Sequence, residues 1–111
     1  MSSDYVPDRG DIVWLWFTPQ AGHEQSGRRP AVVLSHAVYN AKAGLALVCP
    51  VTSQVKGHPF EFALPAGLNV SGVVLVDQIK SLDWNARKAD LIGKLPESVT
   101  SAILSKVRTL L

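Results

Sequence analysis

The chain has 111 residues, 47% of them hydrophobic and 18% charged, which is one core's worth of globular sequence and not two. It has no run of 18 apolar residues, the start Met1-Ser2-Ser3-Asp4-Tyr5 lacks the basic end and apolar centre of a signal peptide, and the single Cys49 excludes an internal disulfide framework. These features predict a cytoplasmic protein with no membrane partner, and the net charge of +2 permits a nucleic-acid partner without arguing for one.

Residues 11–17, rich in β-branched and aromatic side chains between Gly10 and Pro19, predict a strong first strand. The stretch 18–29 is far longer than a hairpin needs, and a second strand is expected over 31–35. A short helical turn over 37–42 is expected before a third strand over 45–50. The alternation in 60–64 predicts a half-buried strand, and 73–76 a fifth strand, buried on both faces and continuing to about residue 80. Pro96-Glu97 suits a first helical turn, and Val99, Ala102, Ile103, Val107 and Leu110 then recur at three- and four-residue intervals. Short strands at this spacing, punctuated by glycine and proline, predict a small barrel or sandwich closed by an amphipathic C-terminal helix.

The stretch Gly22-His23-Glu24-Gln25-Ser26-Gly27-Arg28-Arg29-Pro30 concentrates the chemistry. A carboxylate can act as a base, an imidazole can shuttle protons near neutral pH, and two guanidiniums match phosphate oxygens. By composition alone, a solvated charged loop is the favoured account, because loops carry charge by default. Thr52 and Ser53 follow Pro50; their hydroxyls are turn groups or phosphate donors. Asp77-Gln78, ending a buried-looking strand, is either a hydrogen-bonded turn or a site pair. Lys56, Lys80, Arg87 and Lys88 could line a phosphate path. His36 and His58 share no metal-ligand spacing with each other or with Cys49, which reads as a core residue, so no metal and no cofactor are expected. Trp14 and Trp16 alternate onto one face, where core or interface packing is expected. Walker, nucleophile-elbow and HExxH motifs are absent.

Four ordered blocks carry a resemblance: Pro7-Asp8-Arg9-Gly10-Asp11-Ile12-Val13-Trp14; Gly22 to Ser35, matching G-x-E-Q-x-G-x-R-P-[AV]-[VL]-[VI]-[LI]-[ST]; Pro50-Val51-Thr52-Ser53; and Gly72-Val73-Val74-Leu75-Val76-Asp77-Gln78-Ile79-Lys80-Ser81-Leu82-Asp83. In these blocks the chain resembles the MazF/PemK/Kid family of bacterial toxins over nearly its whole length. The resemblance implies a single toxin domain over 1–111, an SH3-like β-barrel with a small additional sheet and a C-terminal α-helix, assembled as a homodimer. It implies sequence-selective, metal-independent cleavage of single-stranded mRNA, leaving a 2′,3′-cyclic phosphate and a 5′-hydroxyl, and an antitoxin partner with an acidic, flexible tail.

By the same resemblance the catalytic positions are Arg29 and Thr52, with Glu24 a supporting or alternative acid/base group. His23, Gln25, Arg28, Ser53, Lys56, Asp77, Gln78 and Lys80 are candidate substrate-binding residues; His23 and Arg28 fall at variable positions and rest on their chemistry alone. The loop 54–59 varies within the family and is expected to read bases. Attack of a 2′-hydroxyl on phosphorus needs a base, an acid for the leaving oxygen and donors to the phosphorane-like oxygens. A guanidinium with a pKa above about 12 suits the donor role better than proton transfer, which is left to Glu24 or His23. The rival reading is a non-catalytic toxin of the same fold that binds a protein such as DNA gyrase.

Overall fold

The computed structural model describes residues 5–17 and 27–111. Among them the chain forms β1 (Asp11–Phe17), β2 (Gly27–Val33), α1 (Ala37–Ala43), β3 (Ala46–Thr52), β4 (Glu61–Ala63), β5 (Val73–Leu75), β6 (Lys80–Leu82), β7 (Asp90–Lys94) and α2 (Glu97–Arg108). The sheet order is β4-β5-β3-β2-β1-β7, with β6 also paired to β3. All its ladders are antiparallel.

Strand alternation divides the apolar residues between two faces. Ile12, Val32, Cys49 and Val51 point to one side, where they meet Val74, Val76 and the α2 residues Ile103 and Val107. Val13, Leu15, Phe17, Ala31, Val33, Ala46 and Val48 point to the other, under Tyr5, Leu82, Trp84 and Ala89. Burial on both faces is why the middle of the chain reads as near-continuous apolar runs. The mainly β class, the additional small sheet (β4, β5 and the end of β3) and the C-terminal helix agree with the sequence reading.

Closure does not. Among the described residues the sheet is open, with β4 and β7 at its ends. The second edge of β3 is shared between β6, which pairs with Ala46–Val48, and β5, which pairs with Val51 and Thr52. The chain then leaves β6 through a turn held by Arg87 N–H to the Asp83 carbonyl and Ala89 N–H to the Trp84 carbonyl, so β6 and β7 never form a ladder.

Several boundaries move for local reasons. β2 begins at Gly27 rather than 31, because its ladder with β1 runs on through Trp14↔Pro30, Leu15↔Arg29, Trp16↔Arg28 and Phe17↔Gly27. Arg28 and Arg29 are therefore strand residues. β3 extends to Thr52, and a 3-10 turn over Val76–Gln78 breaks the expected 73–80 strand into β5 and β6. β7 escapes the sequence patterns: it is a short edge strand of mixed polarity, and its pairing to β1 is irregular between Ile12 and Val13.

The helix stripe also rotates. Thr100, Ile103 and Val107 are buried, whereas Ala102 and Leu110 are exposed, so the buried face runs through Thr100 rather than Ala102. Trp14 is half-buried and Trp16 exposed, so their shared face lies beyond the core for Trp16.

Candidate active site

Thr52 ends β3, and the register with β2 decides what stands beside it. The pairs Val33↔Val48, Val32↔Cys49 and Ala31↔Pro50 fix the alignment. Two residues further along the same pleat stand Arg29 on β2 and Thr52 on β3, sharing a face because side chains repeat every second residue. The pairs Thr52↔Val73 and Glu61↔Leu75 carry that face across β5 and β4. A groove of about 420 Å³ opens over it, lined among others by Thr52, Lys56, His58, Glu61, Asp77 and Gln78.

Thr52 is buried at the groove's base. Its Oγ1 accepts a hydrogen bond from the Gln54 N–H at 3.1 Å, which leaves the hydroxyl proton to be donated elsewhere. Gly72 makes the strand's position possible. Its φ is +119°, and a Cβ there would stand 2.1 Å from the Thr52 carbonyl oxygen, so only glycine permits this approach. Asp77 and Gln78 reach the groove from the 3-10 turn that ends β5, and the Val76 N–H bonds the Phe60 carbonyl at 3.1 Å to close the far wall. Turn and groove wall are thus one feature. Among the described residues, Lys56, His58 and Asp77 make no side-chain hydrogen bond or ion pair.

Behind the groove Cys49 is fully buried, and that burial, then the Asp77 carboxylate, push its thiol up to about 12. It is a core side chain and not a nucleophile.

The remaining candidates lie elsewhere. Arg28 is on the opposite face from Arg29: its guanidinium sits 5.0 Å over the Trp14 ring and its Nη2 is 3.6 Å from Asp90 Oδ2. Lys80 pairs with Val48 on β3, on the face of Thr52 but nearer the other end of the strand. Ser53 is exposed immediately beyond Thr52. Arg87 donates to the Trp16 carbonyl at 3.1 Å, and Lys88 is exposed in the turn before β7. Glu24, His23 and Gln25 lie outside the described residues. His58 stands in the groove as part of the 54–59 loop expected to read bases, and Glu61 is a groove residue that no sequence motif marks. Among the described residues no group of three or more His, Cys, Asp or Glu side chains is arranged to hold a metal ion. Nor is any helix long and apolar enough to cross a membrane.

A basic side chain and a hydroxyl on adjacent strands, at the edge of a polar groove, can together donate to the oxygens of a phosphodiester. Comparison with known proteins points the same way. The family model described as PemK-like, MazF-like toxin of type II toxin-antitoxin system matches residues 8–111. The endoribonuclease toxin MazF of Escherichia coli K12 is 47% identical over 111 residues, covering 100% of this chain and 99% of that protein. The crystal structure of MazF from Deinococcus radiodurans superposes with a TM-score of 0.91 at 58% identity, covering 96% of this chain and 97% of that one. A MazE-MazF structure from the same organism gives a TM-score of 0.85 at 51% identity, covering 96% of each.

Proposed function

The chain belongs to the PemK-like, MazF-like toxin family of type II toxin-antitoxin systems, and from that premise we propose how its groove works as an RNA-cleaving site. It is an endoribonuclease toxin with a cognate antitoxin. In our reading it acts as one domain over 1–111, in the bacterial cytoplasm and as a homodimer. Its substrate is single-stranded mRNA, and the antitoxin blocks the groove with an acidic, flexible tail.

The observation that carries the reading is the shared pleat of Arg29 and Thr52 beside a groove lined by Lys56, His58, Asp77 and Gln78. The ribose 2′-oxygen attacks the adjacent phosphorus while its proton passes to a base. The P–O5′ bond breaks and O5′ takes up a proton, leaving a 2′,3′-cyclic phosphate and a 5′-hydroxyl. Arg29 and the Thr52 hydroxyl donate to the non-bridging oxygens as charge builds on them, where such donors contribute most. Arg29 stabilises charge and takes no part in proton transfer, and Glu24 or His23 moves the protons. Lys56 and Lys80 add positive charge along the strand's path, and Gln25 and Ser53 are secondary contacts; Arg28, turned to Trp14 and Asp90 on the other face, is not one of them.

The test is incubation of purified protein with EDTA and an RNA, beside the same oligonucleotide carrying a 2′-deoxy sugar at the cut site. Cleavage of the first alone supports the mechanism. Cleavage of neither favours a toxin that binds a protein target such as DNA gyrase, and cleavage only without EDTA overturns metal independence. A pH–rate profile of Glu24→Gln and His23→Ala then assigns the proton transfers; if neither changes an ionisation or the rate, that assignment fails.

A further inference from the structure

The loop between β3 and β4 contributes Gln54, Lys56 and His58 to the groove, so something must hold it in place. Its first end is pinned by the Gln54 N–H to Thr52 Oγ1, and its last by the Val76 N–H to the Phe60 carbonyl. Between them one side chain does the work. The Glu61 carboxylate accepts the Lys56 N–H at 3.1 Å through Oε2 and at 3.3 Å through Oε1, and the Gly57 N–H at 2.9 Å through Oε1. Gly57, at φ +78°, turns the backbone so that successive N–H groups converge on one anion. Glu61 is itself fixed by β4, where it pairs with Leu75 on the groove face, and its own N–H bonds the His58 carbonyl at 3.1 Å. Charge-assisted bonds of this kind are the strong class, and here they span the tip of an otherwise exposed loop.

We infer that Glu61 is a positioning residue for base selection: its carboxylate clamps the 54–59 loop so that Lys56 and His58 stand at a set distance from Thr52 and Asp77. This rests on the reading of the groove as an RNA-cleaving site. A clamped loop presents one arrangement of donors and acceptors to a base, whereas a free loop adapts to several and must be ordered at each binding event. The Glu61 carboxylate is bonded to the loop backbone and, among the described residues, not to the Thr52 hydroxyl, so its removal leaves the chemical step in place.

The test compares the wild-type protein, Glu61→Gln and Glu61→Ala on a pool of single-stranded RNA randomised around the preferred cut site, with kcat and KM measured on the best sequence. For Glu61→Ala the expected result is KM raised about tenfold, kcat within about threefold, and discrimination between best and next-best sequences reduced about tenfold. Glu61→Gln, which keeps an acceptor oxygen but not the charge, falls between, and the Gly57 amide exchanges hydrogen faster in both variants. Thermal unfolding checks that each variant folds, and should Glu61→Ala unfold, Glu61→Gln carries the comparison. Unchanged KM and site pattern in variants of an active wild type overturn the clamp alone. A loss of kcat at unchanged KM overturns it too, by placing Glu61 in the chemistry. A wild type that cleaves no RNA overturns the groove reading and this inference with it.

Discussion

Two cavities among the described residues are similar in size and differ in how their polar side chains are used. The groove beside Thr52 has a volume of about 420 Å³, and the cavity between the start of α2 and the 8–11 segment about 480 Å³. At the second, polar groups are spent on one another. Buried Asp11 takes the Tyr5 hydroxyl at 2.6 Å, the Asp8 N–H at 2.9 Å and Lys94 Nζ at 3.1 Å. Asp8 in turn takes the Arg9 and Ala37 N–H groups, each at 2.9 Å, and Lys94 lies 3.7 Å from it. Burial and the Asp11 carboxylate together hold the Tyr5 phenol well above its usual range. Close by, Asn40 donates to the Pro7 and Ser35 carbonyls and accepts the Ser35 hydroxyl at 2.6 Å. In the groove, by contrast, Lys56, His58 and Asp77 are exposed and make no side-chain hydrogen bond or ion pair among the described residues. A closed network stiffens a fold; side chains that face an open groove remain available to a ligand.

Substitutions at the two places should therefore separate activity from stability. Arg29→Ala and Thr52→Ala, at the groove, should each lower the cleavage rate by about 10³-fold or more, with a far smaller loss of stability, about 1 kcal/mol for Thr52→Ala, which gives up the Gln54 N–H bond. Cleavage assays beside calorimetry decide this, and a parallel loss of both would dissolve the contrast. Gly72→Ala is expected to bridge the two classes. Its methyl would collide with the Thr52 carbonyl oxygen, so both stability, by about 3 kcal/mol, and cleavage should fall. Asn40→Ala, in the packed network, should cost about 2–3 kcal/mol in urea unfolding by stranding buried partners, with kcat of the folded protein unchanged.

The smallest effect belongs to Asp8. The Ala37 N–H bond above all, helped by the Arg9 N–H bond, Lys94 and His36, holds its carboxyl below the usual carboxylate value, against a desolvation effect second in size to the Ala37 bond. A lowered folded-state value gives stability that is present above the unfolded pKa, near 4, and lost as pH falls below it. Because the Asp8 side chain is half-exposed and screened by water, Asp8→Asn should lower the unfolding midpoint only slightly at pH 7, and the difference from wild type should disappear as pH falls through the carboxyl's lowered value. A difference that persists in acid would show that shape, not charge, holds α1 there.

How much of this was legible in advance depends on the range of the interaction concerned. β1, α1, the apolar centres of β2 and β3, and α2 follow from periodicity and punctuation within a few neighbouring residues. Cys49 as a core residue follows the same way. The Arg29 and Thr52 motifs stood out as chemistry, yet nothing local to either placed one beside the other. β7 was invisible because an edge strand of mixed polarity takes its conformation from β1 and not from its own pattern.

By itself, then, the sequence determined the class of fold, the family and the residue types able to cleave RNA, because each is written in contiguous blocks. Tertiary structure alone decided that the sheet stays open and that Arg28 turns to Trp14 and Asp90 while Arg29 shares a pleat with Thr52. It alone gave Glu61 a loop to hold. The physical reason is register. A shift of one residue between β2 and β3 would send Arg29 and Thr52 to opposite faces, and that register is set by the two buried faces of a sheet whose partners lie far apart in the chain.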